Sequence, residues 1–359
     1  MNRVKLIEKF IETSDEIGIY EFVKKNGIHY ADEMLLELAI ENNNLEMAKL
    51  LVKLGADVNG QDTFFAYAIK SGNYDLIQFL VEKGVDVDPD ESLSIAVLYN
   101  VPFDIIFWLI DYGADPTYEN GDIFVSAASY ARIDIIKLFL ANAELNDFDL
   151  NSAMEETILS ASRAKLSLAV QALPEEFTTQ GSASQALPGE FLTSLPKGEF
   201  TTQGSDPKTI DPNQPTQKQY LEMAKYLLEL GASVNYSSGL PLRQAVLYGC
   251  YDIAKLLLEA GVGEKDRPLV IAAEKGHEEL VKLLLKYGAN PVYNNGIVIE
   301  RAMANGYDKI VKILLTNADR KDAFDKPSEP NNKEIVNLPK KEEFASSLSK
   351  GDIVEPVIN

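Results

Sequence analysis

The sequence predicts an all-α fold, a helical solenoid of about nine short repeats, and three observations carry that expectation. First, a small residue suited to closing a helix recurs as Gly27, Gly55, Gly84, Gly113, Ala143, Gly231, Gly261, Gly288 and Ala318. Neighbours in this series are 27 to 30 residues apart, except for one gap of 88. Second, an alanine small enough to let helices lie close recurs in the same phase, as Ala39, Ala68, Ala96, Ala127, Ala245, Ala272 and Ala302. Third, an amphipathic segment with one wide apolar face precedes each closing residue, as in EMAKLLVKLGADVN, YDLIQFLVEKGVDVD and YDKIVKILLTNAD. Periods of this size belong to stacked repeats, in which each helix pair buries its apolar face only against its neighbours.

The first pair, Val4 to Gly27, is rich in Lys and Glu and suits a polar N-terminal cap. The clearest pair is RPLVIAAEKGHEELVKLLLKYGANP, from Arg267 to Pro291. Pro268 sits where a first helical turn tolerates a missing N–H. Gly276 and His277 separate the first helix from the second. Leu280, Val281, Leu283, Leu284 and Leu285 then form the apolar face, Lys282 and Lys286 the wet one, and Gly288 the left-handed cap.

This stretch resembles the ankyrin repeat. Pro268, Leu269, Ala272, Ala273, Gly276, His277, Val281, Leu284, Leu285, Gly288, Ala289 and Asn290 match that family's pattern, while Arg267 and Val270 replace its Thr and first His. The resemblance implies a non-enzymatic scaffold that binds another protein along a concave face. The period is shorter than the roughly 33 residues usual for the family. The shortening falls between cap and next helix, leaving tight turns at Asn120-Gly121 and Asn295-Gly296 where ankyrins project a hairpin finger. Short fingers of this kind resemble repeats of giant viruses and of intracellular, rickettsia-like bacteria. A chain from such a source is expected to be a host-directed effector.

The 88-residue gap is read as one repeat split in two. Asp149–Arg163 reads as its first helix and Tyr220–Gly231 as its second. Between them, Ala164–Gln217 is rich in Pro, Gly, Ser, Thr and Gln and reads as a disordered insertion, which loop-closure entropy permits at small cost. The expected organisation is ankyrin-type repeats over 1–163, the insertion over 164–217, repeats again over 218–320, and a disordered tail over 321–359. Leu173–Phe177, Leu187–Phe191, Leu195–Phe200 and Leu338–Phe344 are variants of one Leu-Pro-x-Glu-Phe phrase. They are either expansion of a repetitive element or docking peptides of an adaptor.

Composition bounds the function. The formal net charge is −21 with no compact basic patch, which disfavours nucleic acid. No apolar run approaches membrane-spanning length. One cysteine, Cys250, allows no internal disulfide and points to a reducing, cytoplasmic home. The two histidines, His29 and His277, have no metal-ligand partner at useful spacing, and Cys250 occupies the repeat position of His277 as a structural substitute. The expectation is a monomer without metal, cofactor or catalytic residues, holding a protein partner; the competing class is an enzyme using an unrecognised carboxylate site or Cys250.

Partner-binding candidates follow from register. The positions just after the repeat alanines hold Lys70, Tyr99, Tyr130, Tyr248 and Lys275. Tyr118, Tyr236 and Tyr293 each stand five residues past a cap glycine. Tyrosine offers large contact area at low entropic cost, so both rows suit a binding surface, with Tyr99 and Tyr130 as the expected ridge. Phe107 stands where other repeats place Lys49, Gln78, Lys137, Lys225, Lys255, Lys282 and Lys312, so an exposed apolar patch with Phe103 is expected. Trp108 falls in the leucine register and is expected in the core.

Overall fold

The computed structural model describes residues 3–28, 34–61, 63–144, 147–171 and 214–318. Among these residues it is all-α. The helices pair as α1 (Arg3–Glu12) with α2 (Glu16–Asn26), α3 (Met34–Glu41) with α4 (Leu45–Lys53), α5 (Phe64–Ser71) with α6 (Tyr74–Glu82), and α7 (Pro89–Leu98) with α8 (Phe103–Tyr112). After a 3₁₀ turn at Tyr118–Gly121 come α9 (Asp122–Ser129) and α10 (Ile133–Asn142). The chain then runs through α11 (Asp147–Gln171) and α12 (Gln217–Leu230), α13 (Tyr236–Leu247) and α14 (Tyr251–Glu259), α15 (Asp266–Lys275) and α16 (Glu278–Lys286), and α17 (Tyr293–Ala304) and α18 (Asp308–Ala318).

Two compact units result, residues 1–127 with 134–144, and residues 128–133 with 145–359. Within each unit, odd-numbered helices pack on odd-numbered ones and even on even, giving an inner and an outer helical layer. The seven recurrent alanines, from Ala39 to Ala302, stand on inner helices and are all fully buried. Their small side chains permit close packing of helices. In the split repeat the equivalent residue is Thr157, also fully buried, and its Oγ1 donates to the Ala153 carbonyl at 2.7 Å. That bond satisfies a hydroxyl that burial would otherwise make costly.

Capping chemistry explains where the outer helices begin. Asn44 and Asn73 accept the Met47 and Leu76 N–H groups at 3.1 and 3.2 Å. Thr216 and Gln219 close a reciprocal capping box at the start of α12. The cap glycines from Gly27 to Gly288 all adopt positive φ, Gly113 reaching 113°, where a Cβ would be strained. On α16 the apolar face is buried as expected, and Lys282 on the wet face pairs with Glu278 and Glu279 at 2.6 and 2.7 Å.

The segment between each cap and the next inner helix contains no strand among the described residues. The expected Asn-Gly turn forms at Asn294-Asn295-Gly296, with φ of 47, 58 and 84°. Ser237-Ser238-Gly239 adopts the same left-handed path at 46, 58 and 75°, without the Asn-Gly signature. The fingers are therefore single turns, and inter-repeat contact there passes through side chains.

The split repeat differs from expectation at its edges. Helix α11 continues to Gln171 instead of ending at Arg163; Ala164 is buried, and the Lys165 Nζ donates to the Gly249 carbonyl at 2.6 Å. Gln217, expected in the insertion, opens α12 and donates from Nε2 to the Ala161 carbonyl at 2.6 Å. Residues 172–213 of the expected insertion, the expected tail, the Leu-Pro-x-Glu-Phe phrases and His29 lie outside the described residues.

Candidate protein-binding surfaces

In the first unit, three consecutive inner helices bring together a row of polar and aromatic side chains. Tyr67 stands on α5 one residue before the buried Ala68, and Lys70 two residues after it. Tyr99 ends α7 and is 49% exposed. The Lys70 Nζ lies 4.5 Å from the Tyr99 ring centroid and 5.6 Å from that of Tyr67, a cation held between two aromatic faces. Glu37 and Glu41 stand on α3, the preceding inner helix, and act on the Tyr67 phenol. The Glu41 charge, then burial and then Glu37, push that phenol above its ordinary pKa. Leu98, adjacent to Tyr99, is 57% exposed. The sequence singled out Lys70 and Tyr99; it missed Glu37 and Tyr67, which precede the repeat alanines Ala39 and Ala68, and also Glu41, which follows Ala39 by two residues as Lys70 follows Ala68.

The outer layer of the same unit carries the apolar patch on α8. Phe103 is exposed and its ring lies 6.2 Å from that of the half-buried Phe107. Trp108, expected in the core, is only half-buried and stands against Tyr112 at 5.0 Å. Ile105, Ile106 and Leu109 fill the buried face of α8, leaving the bulky indole at its margin.

In the second unit the candidate residues are more enclosed. Tyr130, Tyr248 and Lys275 are half-buried. The neighbouring Tyr220 donates to the Ser129 carbonyl at 3.2 Å, and burial drives its pKa up to about 12. Tyr99 and Tyr130, expected as one ridge, fall in different units. Tyr118, Tyr236 and Tyr293 each open the turn that leads into the next inner helix; Tyr118 is exposed, and the other two are half-buried. Met303 on α17, not foreseen, is 64% exposed on the last described inner helix.

The extension of α11 walls one side of an open cleft of about 610 Å³, lined by Lys165, Gly249, Tyr251, His277 and the start of α16. His277 stands at the N-cap of α16 and places Nε2 3.4 Å from the Leu247 carbonyl of the preceding repeat. Burial lowers its pKa, so the ring is neutral at pH 7. Cys250 occupies the corresponding position before α14, is 4% exposed, and has its pKa raised by burial to about 11 despite the nearby Lys165 ammonium. A thiol in that state is a packing residue and a poor nucleophile. Among the described residues no His, Cys, Asp and Glu side chains cluster as a metal site. No described helix is long and apolar enough to cross a membrane.

Residues 6–91 and 242–325 match the family model for ankyrin repeats (3 copies). No curated protein matches the chain. The region between the matched stretches holds Ala143 in place of a cap glycine, Thr157 in place of the inner-helix alanine, and the split repeat. The helix pairs, the buried alanines and the turn signatures agree with that match, and the chain is an ankyrin-repeat protein.

Proposed function

We propose that the chain is a non-enzymatic module that holds a protein partner against its inner-helix faces. The observation that carries this reading is the Tyr67–Lys70–Tyr99 stack. A lysine clamped between two rings keeps Tyr99 half-exposed yet fixed, the kind of pre-organised aromatic contact that binds at low entropic cost. Exposed Leu98 beside it extends the contact area with an apolar side chain. Tyr130, Tyr248 and Lys275 occupy the same register in the second unit and serve a narrower role there, since each is half-buried. The chain's acidity and its single buried cysteine suit work in a reducing compartment.

The test is affinity capture from a lysate of the cell type in which the protein acts, using wild type, Tyr99→Ala/Lys70→Ala and Phe107→Ala as baits. Circular dichroism first establishes that each bait is folded. Partner capture lost in the first variant and kept in the second supports the inner face. Capture lost only with Phe107→Ala moves the site to the outer layer, and capture lost only on deleting residues 172–213 moves it to the Leu-Pro-x-Glu-Phe phrases.

A further inference from the structure

The last described helix pair, α17 with α18, exposes apolar positions that the regular repeats before it bury. In the repeats built on Ala39 through Ala272, with Thr157 in the split one, the next residue is at most 1% exposed, as at Ile40, Ile69, Ile158 and Ala273. The counterpart after Ala302 is Met303, 64% exposed. Leu36, Phe65 and Leu269, three residues before their alanines, are buried, whereas the equivalent Ile299 is only half-buried. The outer helix departs in the same way. Ile77, Ile106 and Val281, seven residues before their caps, are fully buried, but Val311 is half-buried. Leu315 is 48% exposed where Leu258 and Leu285 are buried. These positions are buried where a further repeat follows and uncovered where none follows among the described residues. They form the face on which a next repeat would stack, and a solenoid ordinarily ends on a polar face.

We propose that residues 344–351 of the same chain cover this face as the inner helix of a further, partial repeat. The chain leaves α18 at Ala318, on the exposed pair itself, and continues through residues 319–359. In that stretch Phe344, Ser347, Leu348 and Gly351 repeat the spacing of Phe65, Ala68, Ile69 and Gly72, and of Ile299, Ala302, Met303 and Gly306. Serine is small enough for the close-packed position, which Thr157 fills in the split repeat. Lys350 stands directly before its glycine, as Lys275 does before Gly276. The link 319–343 extends by up to about 3.5 Å per residue, several times the roughly 10 Å between packed helix axes, so it reaches without strain. Tethering also raises the local concentration of the segment above that of any separate molecule. The insertion repeats the spacing at Phe191, Ser194, Leu195 and Gly198, but Pro196 removes an N–H that a helix there would need. The tail expected from its polarity to be disordered thus holds one segment with the signature of a repeat.

The test reads the thiol reactivity of Met303→Cys in the full chain, with the buried Cys250 as a slow background. With the native tail, labelling is expected to be at least about ten-fold slower than in Met303→Cys/Phe344→Asp/Leu348→Asp. Circular dichroism checks that each variant stays folded. Ile17→Cys, on the exposed start of α2 in the first unit, is expected to label equally fast with either tail. Adding Phe191→Asp/Leu195→Asp to Met303→Cys is expected to leave the protection unchanged. Equal labelling with native and substituted tails would overturn the proposal. Protection lost with Phe191→Asp/Leu195→Asp would overturn it in favour of the insertion. Protection that weakens on about 100-fold dilution would overturn it in favour of a second copy of the chain. A second readout keeps Met303 itself: Phe344→Asp/Leu348→Asp in the otherwise native chain is expected to lower the urea midpoint of the second unit. An unchanged midpoint would count against the proposal as firmly as equal labelling.

Discussion

The Asn151 side-chain oxygen accepts the Ser233 backbone N–H at 2.9 Å across 82 residues of chain. The same bond recurs at four other repeat junctions among the described residues. Asn59 accepts from Asp86 at 2.7 Å, Asp90 from Asp115 at 2.7 Å, Asn235 from Gly263 at 2.8 Å and Asp266 from Asn290 at 2.7 Å. In every case the donor stands two residues past a cap glycine, and apart from the Asn151 pair the partners are 24 to 28 residues apart. At these five junctions one side-chain acceptor thus does joining that hairpin fingers would otherwise share. The long Asn151 span is an ordinary interface with the insertion placed inside it.

If this acceptor is what matters, Asp and Asn are interchangeable at these positions and Ala is not. Asp266→Ala and Asn151→Ala are each expected to cost about 1–2 kcal/mol in urea unfolding, and Asp266→Asn less than about 0.5 kcal/mol. An Asp266→Asn loss as large as that of Asp266→Ala would mean that the charge, not the acceptor, holds the interface.

Gly276 shows how the turn between helices of a pair limits substitution. Its φ is 78°, and a Cβ there would meet the Tyr307 ring at 2.6 Å, whereas Gly288 at φ 91° has open space around it. Gly288→Ala is expected to cost about 1–2 kcal/mol from backbone strain alone. Gly276→Ala is expected to cost about 1–3 kcal/mol beyond that. The double variant Gly276→Ala/Tyr307→Ala should recover only the second part, as a double-mutant cycle in urea would read.

Periodicity made the fold legible, because cap glycine and buried alanine are dictated by backbone geometry and close packing that leave few residue choices. The acceptor ladder was not legible: Asn59, Asp90, Asn151, Asn235 and Asp266 are polar residues in polar turns, and only the bond distinguishes them. The end of α11 was missed because Lys-Leu-Ser-Leu after Ala164 continues a helix as readily as it opens a loop. At the candidate site, Lys70 and Tyr99 followed from register. Glu37 and Tyr67 did not, since a surface spanning three helices depends on side-chain reach that a single repeat does not encode.

Cys250 should behave as a buried core residue. With its pKa near 11, the thiolate fraction at pH 7 is about two orders of magnitude below that of an ordinary exposed cysteine. Modification by an aromatic disulfide reagent is expected to be at least about 100-fold slower in the folded chain than in urea. Replacing Lys165 with Met removes the charge that lowers this pKa, and is expected to slow the folded-state reaction further. Fast labelling of the native chain would show that the thiol is accessible after all.

His277 gives the second unit a proton-linked weakness. Burial lowers its pKa, its Nε2 faces the Leu247 carbonyl, and the Lys165 and Lys275 charges oppose a second positive charge nearby. A depressed pKa in the folded state means that the unfolded chain takes up the proton first as pH falls. The stability linked to this group is therefore complete above the ordinary value near 6.5 and is lost progressively below it. Carboxylates titrate in part of the same range, so wild type must be compared with a variant that keeps a hydrogen-bond donor but cannot ionise. His277→Gln is expected to cost about 1 kcal/mol at pH 7.5 through a poorer bond to Leu247. The gap between variant and wild type should then narrow as pH falls from 7 to 5, read as urea midpoints at each pH. A gap that stays constant over that range would show that the imidazole charges as easily in the fold as outside it.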